Sequence, residues 1–218
     1  MKYGLANPSQ IFLLGNGASL KNTNLDLLKG KDVMGVNKIG LLKLPFELKY
    51  YVKLDYSQFD GDDWKAEVMP HIENGEQCLL WDAFRDGADK NDSNYKYIHD
   101  GIGDFDNVRY IPRCKHHYER TAEWHSICTG LNSIVSMAIW AVELGYDEII
   151  LVGCDGWFTN PSEDHFIPDY YKSWDKDYAN RNNLNIWMAH SMIMSNCPIP
   201  IFDATVDGKL TMYPKVNL

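Results

Sequence analysis

The residues of this chain with the most chemistry in them sit at the ends of apolar runs. Ile11-Phe12-Leu13-Leu14 reads as a buried strand that breaks into Gly15-Asn16-Gly17-Ala18-Ser19-Leu20, a glycine-flanked turn just ahead of a helix start. Two glycines permit a sharp turn and bring backbone N–H groups close to an anionic ligand, while Asn16 and Ser19 add side-chain donors and acceptors. A second run, Glu148-Ile149-Ile150-Leu151-Val152-Gly153-Cys154-Asp155, ends in a carboxylate, and Cys128-Thr129-Gly130-Leu131-Asn132-Ser133 opens the apolar helix that precedes it. The turn is neither the dinucleotide Gly-x-Gly-x-x-Gly nor a P-loop, since no Gly-Lys-Ser/Thr follows. Glycine turns and acids at strand ends are the means by which open α/β sheets hold phosphorylated ligands. Two histidines can move protons near neutrality: His190, in Ala189-His190-Ser191, and His165, which Asp164 could orient or join at a metal.

The elements needed to position these groups can be read from the pattern around them. Strands are expected at 10–14, 32–37, 48–55, 76–81, 108–111, 148–155 and 199–202. Helices are expected near 24–29, over 62–73 and from about 130 to Gly145, which suits a C-cap. Residues 82–107, rich in Asp, Asn and Gly, read as a long polar excursion. Asp207-Gly208, between two strand-like runs, reads as a hairpin turn. The expected fold is α/β and Rossmann-like: a mostly parallel twisted sheet with helices on both faces and a C-terminal antiparallel hairpin, all in one domain over 1–218. Trp157, Phe158, Phe166, Tyr170, Tyr171, Trp174, Tyr178 and Trp187 lie among many Asp and Asn residues. That mixture suits a lid-like insertion around 156–190, with Trp157, His165, Tyr170 and Tyr171 available to an acceptor.

Together, Gly15-Asn16-Gly17-Ala18-Ser19-Leu20, Thr129-Gly130 and the run from Leu144 to Asp155 resemble two related groups. One is the bacterial lipooligosaccharide sialyltransferases, which use a CMP-sugar donor. The other is the Rossmann-like family that includes archaeal 6-hydroxymethylpterin diphosphokinase. The resemblance covers roughly residues 10–55 and 125–191. It implies that Asn37 and Asp55, closing the second and third strands, face the donor nucleotide and its phosphate. It also implies that His190, 35 positions after Asp155 (190 − 155), is the general base of glycosyl transfer. The sialyltransferases usually carry Asn where this chain has Asp55, and their phosphate tyrosines just after the acid give way here to Gly156-Trp157. A carboxylate beside phosphate is repulsive unless a cation intervenes, so Asp55 suits a ribose contact or a bound Mg²⁺, as the diphosphokinase branch requires.

These readings converge on transfer of a sugar, sialic-acid-like by the resemblance, from a nucleotide-activated donor to a glycan. Gly15, Asn16, Gly17, Ser19, Thr129 and Gly130 hold the phosphate, Asn37 and Asp155 grip base and ribose, and His190 acts as base; no metal is expected for that reaction. The alternatives are a Mg²⁺-dependent diphosphokinase-like transfer through Asp55 and Asp155, or a non-catalytic nucleotide-binding module. A net charge of −9 argues against nucleic acid as a partner. The absence of a long uncharged apolar run argues against an integral membrane segment, and the N-terminal residues resemble no signal peptide. Five cysteines, odd in number and without metal-ligand spacing, point to a reducing cytoplasm. A homo-oligomer is compatible with all of this.

Overall fold

The computed structural model describes residues 8–54, 64–87, 100–111, 132–159, 163–167, 170 and 176–218, the last span as backbone only over 176–182. Seven strands form one sheet: β1 (Gln10–Leu14), β2 (Asp32–Val36), β3 (Tyr50–Lys53), β4 (Gln77–Trp81), β5 (Val108–Ile111), β6 (Glu148–Val152) and β7 (Ile201–Asp203). Their order is β5-β4-β3-β2-β1-β6-β7, and every ladder among the described residues is parallel. Among the described residues four α-helices accompany them: α1 (Trp64–Glu73), α2 (Asp82–Asp86), α3 (Ser133–Glu143) and α4 (Lys176–Asn196).

The central strands are continuous apolar runs because both faces of a parallel sheet are covered. Ile11 to Leu14 of β1 and Ile149 to Val152 of β6 are all buried. Helix α3 packs across β1 and β3, and its residues Ile134 to Ala141 are buried on every face, as its apolar sequence requires. Asn132 caps it by accepting from the Ile134 amide at 2.9 Å, and Gly145 ends it at φ 82°. Each fully buried aliphatic side chain contributes about 1.5–3 kcal/mol, so this central layer dominates the stability.

The α/β Rossmann-like reading holds, with three local differences. The helix expected near 24–29 is a single 3-10 turn at Leu25–Leu28, capped by Asn24. The C-terminal antiparallel hairpin does not form. Asp207 and Gly208 do make a turn, with Asp207 at φ 54°, but Leu210 then buries against Gly156 and residues 214–216 return alongside β7 in the parallel sense. The lid-like insertion expected around 156–190 divides, because residues 176–196 are helical and α4 packs on α3.

Candidate functional site

The strand order reverses between β1 and β6: strands run outward from β1 to β5 on one side and through β6 to β7 on the other. In open parallel sheets the crevice outside the carboxyl ends at such a reversal is where ligands bind. Gly15-Asn16-Gly17 leaves β1 there, and Gly153-Cys154-Asp155 leaves β6 beside it. The two exits are stitched together, Gly15 donating to the Val152 carbonyl at 2.8 Å and Gly17 to the Gly153 carbonyl at 2.9 Å. A Cβ on Gly15 would lie 2.5 Å from the Gly153 oxygen, so the turn closes this tightly only with glycine.

Asp155 fills the concavity of the glycine turn. Its carboxylate accepts from the Ser19 amide at 3.0 Å and from the Ser19 hydroxyl. Burial raises its pKa, and the Ser19 and Ala18 donors oppose that rise. The group gripped by the Ala18 and Ser19 donors, expected from sequence to be a phosphate, is thus the chain's own carboxylate. The turn and Asp155 form one unit.

Asn16 and Asn37 flank this unit at the ends of adjacent strands. The Asn16 amide nitrogen donates to the Val36 carbonyl at 3.0 Å, and that of Asn37 faces the Ser133 hydroxyl at 3.5 Å. Both amide oxygens, Asn16 Oδ1 and Asn37 Oδ1, are buried and have no hydrogen-bond partner among the described residues. Asn37 stands at φ 51°, a left-handed conformation that asparagine tolerates better than most residues. Its carbonyl accepts from the buried Tyr51 hydroxyl at 2.8 Å. Tyr51 stacks on His71, with 3.8 Å between centroids, and Glu76 holds His71 through Nδ1 at 2.7 Å. A chain of packed polar groups therefore fixes where Asn37 points.

Residues of the insertion cross over the turn. His165 forms an antiparallel bridge with Gly17, and the Phe166 amide donates to the Asn16 carbonyl at 3.1 Å. The His165 ring lies 3.9 Å from that of Tyr170 in a stacked arrangement and 5.3 Å from that of Phe158. Burial, with Lys38 nearby, pushes its pKa down to about 3. Asp164 does not orient this ring: its carboxylate is engaged by the Thr159 amide and hydroxyl. Lys38 donates to the Tyr170 carbonyl at 2.6 Å and lies over its ring. Both backbone groups of Phe158 are held by the Asn183 side chain of α4, at 2.6 and 2.9 Å. Trp157 remains exposed.

His190, on the inner face of α4, is only 3% exposed. Its Nδ1 is 2.9 Å from the Tyr213 hydroxyl, which itself donates to the His190 carbonyl at 3.2 Å. With the phenol's one proton placed on that carbonyl, Nδ1 donates to Tyr213 and Nε2 carries the lone pair, one of the two tautomers this geometry admits. Burial pushes the imidazole down to about 4, with Asp203 partly opposing, so the ring is neutral at pH 7. The Asp203 amide donates to the Pro214 carbonyl at 2.9 Å, which puts the His190–Tyr213 pair beside the carboxyl end of β7. Asp155 has His165 beside it, through Gly17.

The structure brings Gly15, Asn16, Gly17, Ser19, Asn37, Asp155, His165 and Tyr170 into one region, with His190 at its β6–β7 border. Asp55, Thr129, Gly130 and Tyr171 lie outside the described residues. Sequence reading passed over Ser133, which faces Asn37, and two buried lysines, Lys38 and Lys53. Lys53 is 0% exposed and lies 3.5 Å from Glu67, whose pKa burial raises against the pull of both ammonium groups. The available signal was a lone charge inside the apolar run Tyr50 to Leu54.

No protein-family model matches the sequence, and no curated protein sequence matches it. Solved structures do. The sialyltransferase CstII from Campylobacter jejuni, in complex with the substrate analogue CMP-3FNeuAc, aligns with a TM-score of 0.56 at 15% identity over 96% of this chain and 86% of that one. The same enzyme with cytidine-5'-monophosphate gives 0.55 at 17% identity over 98% and 86%. The monofunctional α-2,3-sialyltransferase Cst-I from the same organism gives 0.54 at 16% identity over 100% and 84%. The chain has the sialyltransferase-like fold. At these identities the likeness is one of fold, and it does not extend to the diphosphokinase part of the resemblance.

Proposed function

We propose that the chain is a glycosyltransferase that takes a sugar, sialic-acid-like in class, from a nucleotide-activated donor and gives it to a glycan hydroxyl. The observation that carries this reading is the pair of buried amide oxygens, Asn16 Oδ1 and Asn37 Oδ1, left with accepting capacity at the topological switch point. A buried acceptor without a donor costs about 1–3 kcal/mol, and a ligand rich in donors relieves that cost. The hydroxyls of a ribose and the exocyclic amine of a base are such donors. The fold neighbours solved with CMP and a CMP-sugar analogue support the same ligand class.

In this reading Asn16, Asn37 and Asp155 hold the nucleoside, while Ser133 and the N-terminus of α3, with Thr129 and Gly130 before it, take the phosphate. Asp55 contacts the ribose. The acceptor hydroxyl attacks the anomeric carbon, the bond from that carbon to the phosphate oxygen breaks, and the nucleoside monophosphate leaves. His190 takes the hydroxyl proton at Nε2, the nitrogen that the Tyr213 network leaves bare. Trp157 and Tyr171 border the acceptor, the buried Tyr170 supports His165 from within, and the insertion excludes water that would hydrolyse the donor.

Melting the protein with CMP, CDP, UDP, GDP and ATP, each with Mg²⁺ and with EDTA, tests the reading. A nucleotide at about a hundred times its dissociation constant stabilises by about 2.7 kcal/mol. Stabilisation by CMP that is indifferent to EDTA is expected, together with turnover of a CMP-sugar that His190→Ala abolishes while nucleotide binding persists. Binding of ATP only with Mg²⁺ would redirect the assignment to metal-dependent phosphoryl chemistry. Binding without any turnover would leave a nucleotide-binding module.

A further inference from the structure

The segment after β7 ties together the acid at the end of β6 and the histidine of α4. Asp203, which closes β7, is fully buried, and its carboxylate accepts from the Thr205 amide at 2.8 Å and the Lys215 ammonium at 2.5 Å. The Thr205 hydroxyl accepts from the Cys154 amide at 3.1 Å, and the Lys209 amide donates to the Asp155 carbonyl at 2.8 Å. The segment therefore grips the backbone on either side of the Asp155 side chain. Farther along, the Pro214 carbonyl accepts from the Asp203 amide at 2.9 Å and the Val216 amide donates to the Asp203 carbonyl at 3.0 Å. Tyr213 stands between these two anchors, 5% exposed, with its ring edge-on to His190 at 5.6 Å and 73°.

We propose that Tyr213 is a positioning residue for the transfer reaction: its hydroxyl donates to the His190 carbonyl, accepts from Nδ1, and so holds the imidazole in the tautomer whose Nε2 takes the acceptor's proton. The assignment rests on the reading of His190 as the general base. The hydroxyl lies 2.9 Å from Nδ1 and 3.2 Å from the His190 carbonyl, so it spans the side chain and the helix that carries it. In the opposite tautomer Nδ1 would accept the phenol proton and Nε2 would bear hydrogen, and a ring so arranged takes no proton at Nε2. When Nε2 gains the acceptor's proton, Nδ1–H stays on Tyr213, and the field of Asp203 favours the cation that forms. Because the same segment grips Asp155, the base is also held at a fixed place relative to the acid.

NMR correlation of nitrogen to carbon-bound ring protons, in protein labelled with ¹⁵N-histidine, reads the tautomer, and His190→Gln identifies the signal. A protonated Nδ1 and a bare Nε2 are expected in the parent at pH 7. Hydrogen on Nε2 would overturn the assignment, whether or not turnover is found. Tyr213→Phe keeps the ring edge against His190 and removes the hydroxyl, so the His190 signals should move toward the opposite tautomer. Its kcat should fall by about tenfold to a hundredfold, at or below the low end of what a positioned base contributes, with donor KM and stabilisation by CMP unchanged. A variant with the parent kcat, or one that loses CMP binding as far as it loses kcat, would show that the hydroxyl serves packing alone and overturn the proposal. A parent with the expected tautomer but no turnover of any nucleotide-sugar would sink the general-base reading itself, a failure that the spectrum separates from a wrong tautomer.

Discussion

Gly17 and Asp155 are in such close contact that no side chain fits between them: a Cβ on Gly17 would collide with the carboxylate, and even its farther oxygen would lie only 2.7 Å away. The Gly17 requirement is therefore set by the acid on the neighbouring strand. Gly17→Ala should push Asp155 off the Ser19 amide and hydroxyl, leaving buried polar groups unpaired at a cost of about 1–3 kcal/mol. For a domain of this size each kcal/mol lowers Tm by about 2–4 °C. Ser19→Ala removes only the hydroxyl and should cost about 1 kcal/mol. A Gly17→Ala protein that melts with the parent would show that the carboxylate is not held by the turn.

Asn37 combines a left-handed backbone with an amide oxygen that lacks a partner among the described residues, and two substitutions separate those roles. Asn37→Gly keeps the backbone relaxed and removes the amide, so the fold should melt near the parent temperature while nucleotide stabilisation is lost. Asn37→Ala removes the same amide but adds about 1 kcal/mol of left-handed strain. Full nucleotide response in Asn37→Gly would remove Asn37 from the ligand site.

What the sequence conveyed and what it hid divide by range. The glycine turn, the acid after β6 and the alternation of strands and helices are local signals, legible because each depends on a few adjacent residues. The strand order that makes Gly15 and Asp155 neighbours is tertiary, as is the burial of Lys38 and Lys53. Asp207-Gly208 signalled its turn correctly but could not say that Leu210 would bury against Gly156 instead of starting a strand. Helix α4 was obscured because its inner ridge includes Asn183 and His190, so the apolar period emerges only once their polar side chains are seen buried against Phe158 and Tyr213.

The insertion's hold on the body of the protein rests heavily on Asn183, whose side chain bonds both the amide and the carbonyl of Phe158. Asn183→Ala leaves two backbone groups to find water and should loosen the segment that includes Trp157 and Thr159. Faster limited proteolysis within residues 156–175 and red-shifted tryptophan emission are expected, at a cost of about 1–3 kcal/mol to the fold. Unchanged cleavage would mean that the bridge from His165 to Gly17 and the Lys38 contact with Tyr170 suffice alone.

His190 makes acid sensitivity measurable at one residue. Its folded pKa is about 4, against about 6.5 when unfolded, because burial disfavours the charged ring. The unfolded chain therefore takes up a proton at a pH where the native one does not, and stability falls as pH drops. The loss begins near pH 6.5, continues to about pH 4 and amounts to about 3 kcal/mol once complete; above pH 6.5 the contribution is flat. His165 acts in the same direction, with its loss extending to about pH 3. His190→Gln removes the first of these proton uptakes while keeping a polar group near Tyr213. Its Tm should therefore fall less steeply than that of the parent between pH 6.5 and pH 4. Parallel melting profiles would show that the imidazole is solvated enough to titrate normally in the folded state. The acid limb of turnover would then sit near pH 6.5 rather than well below it, as a buried neutral base at Nε2 requires.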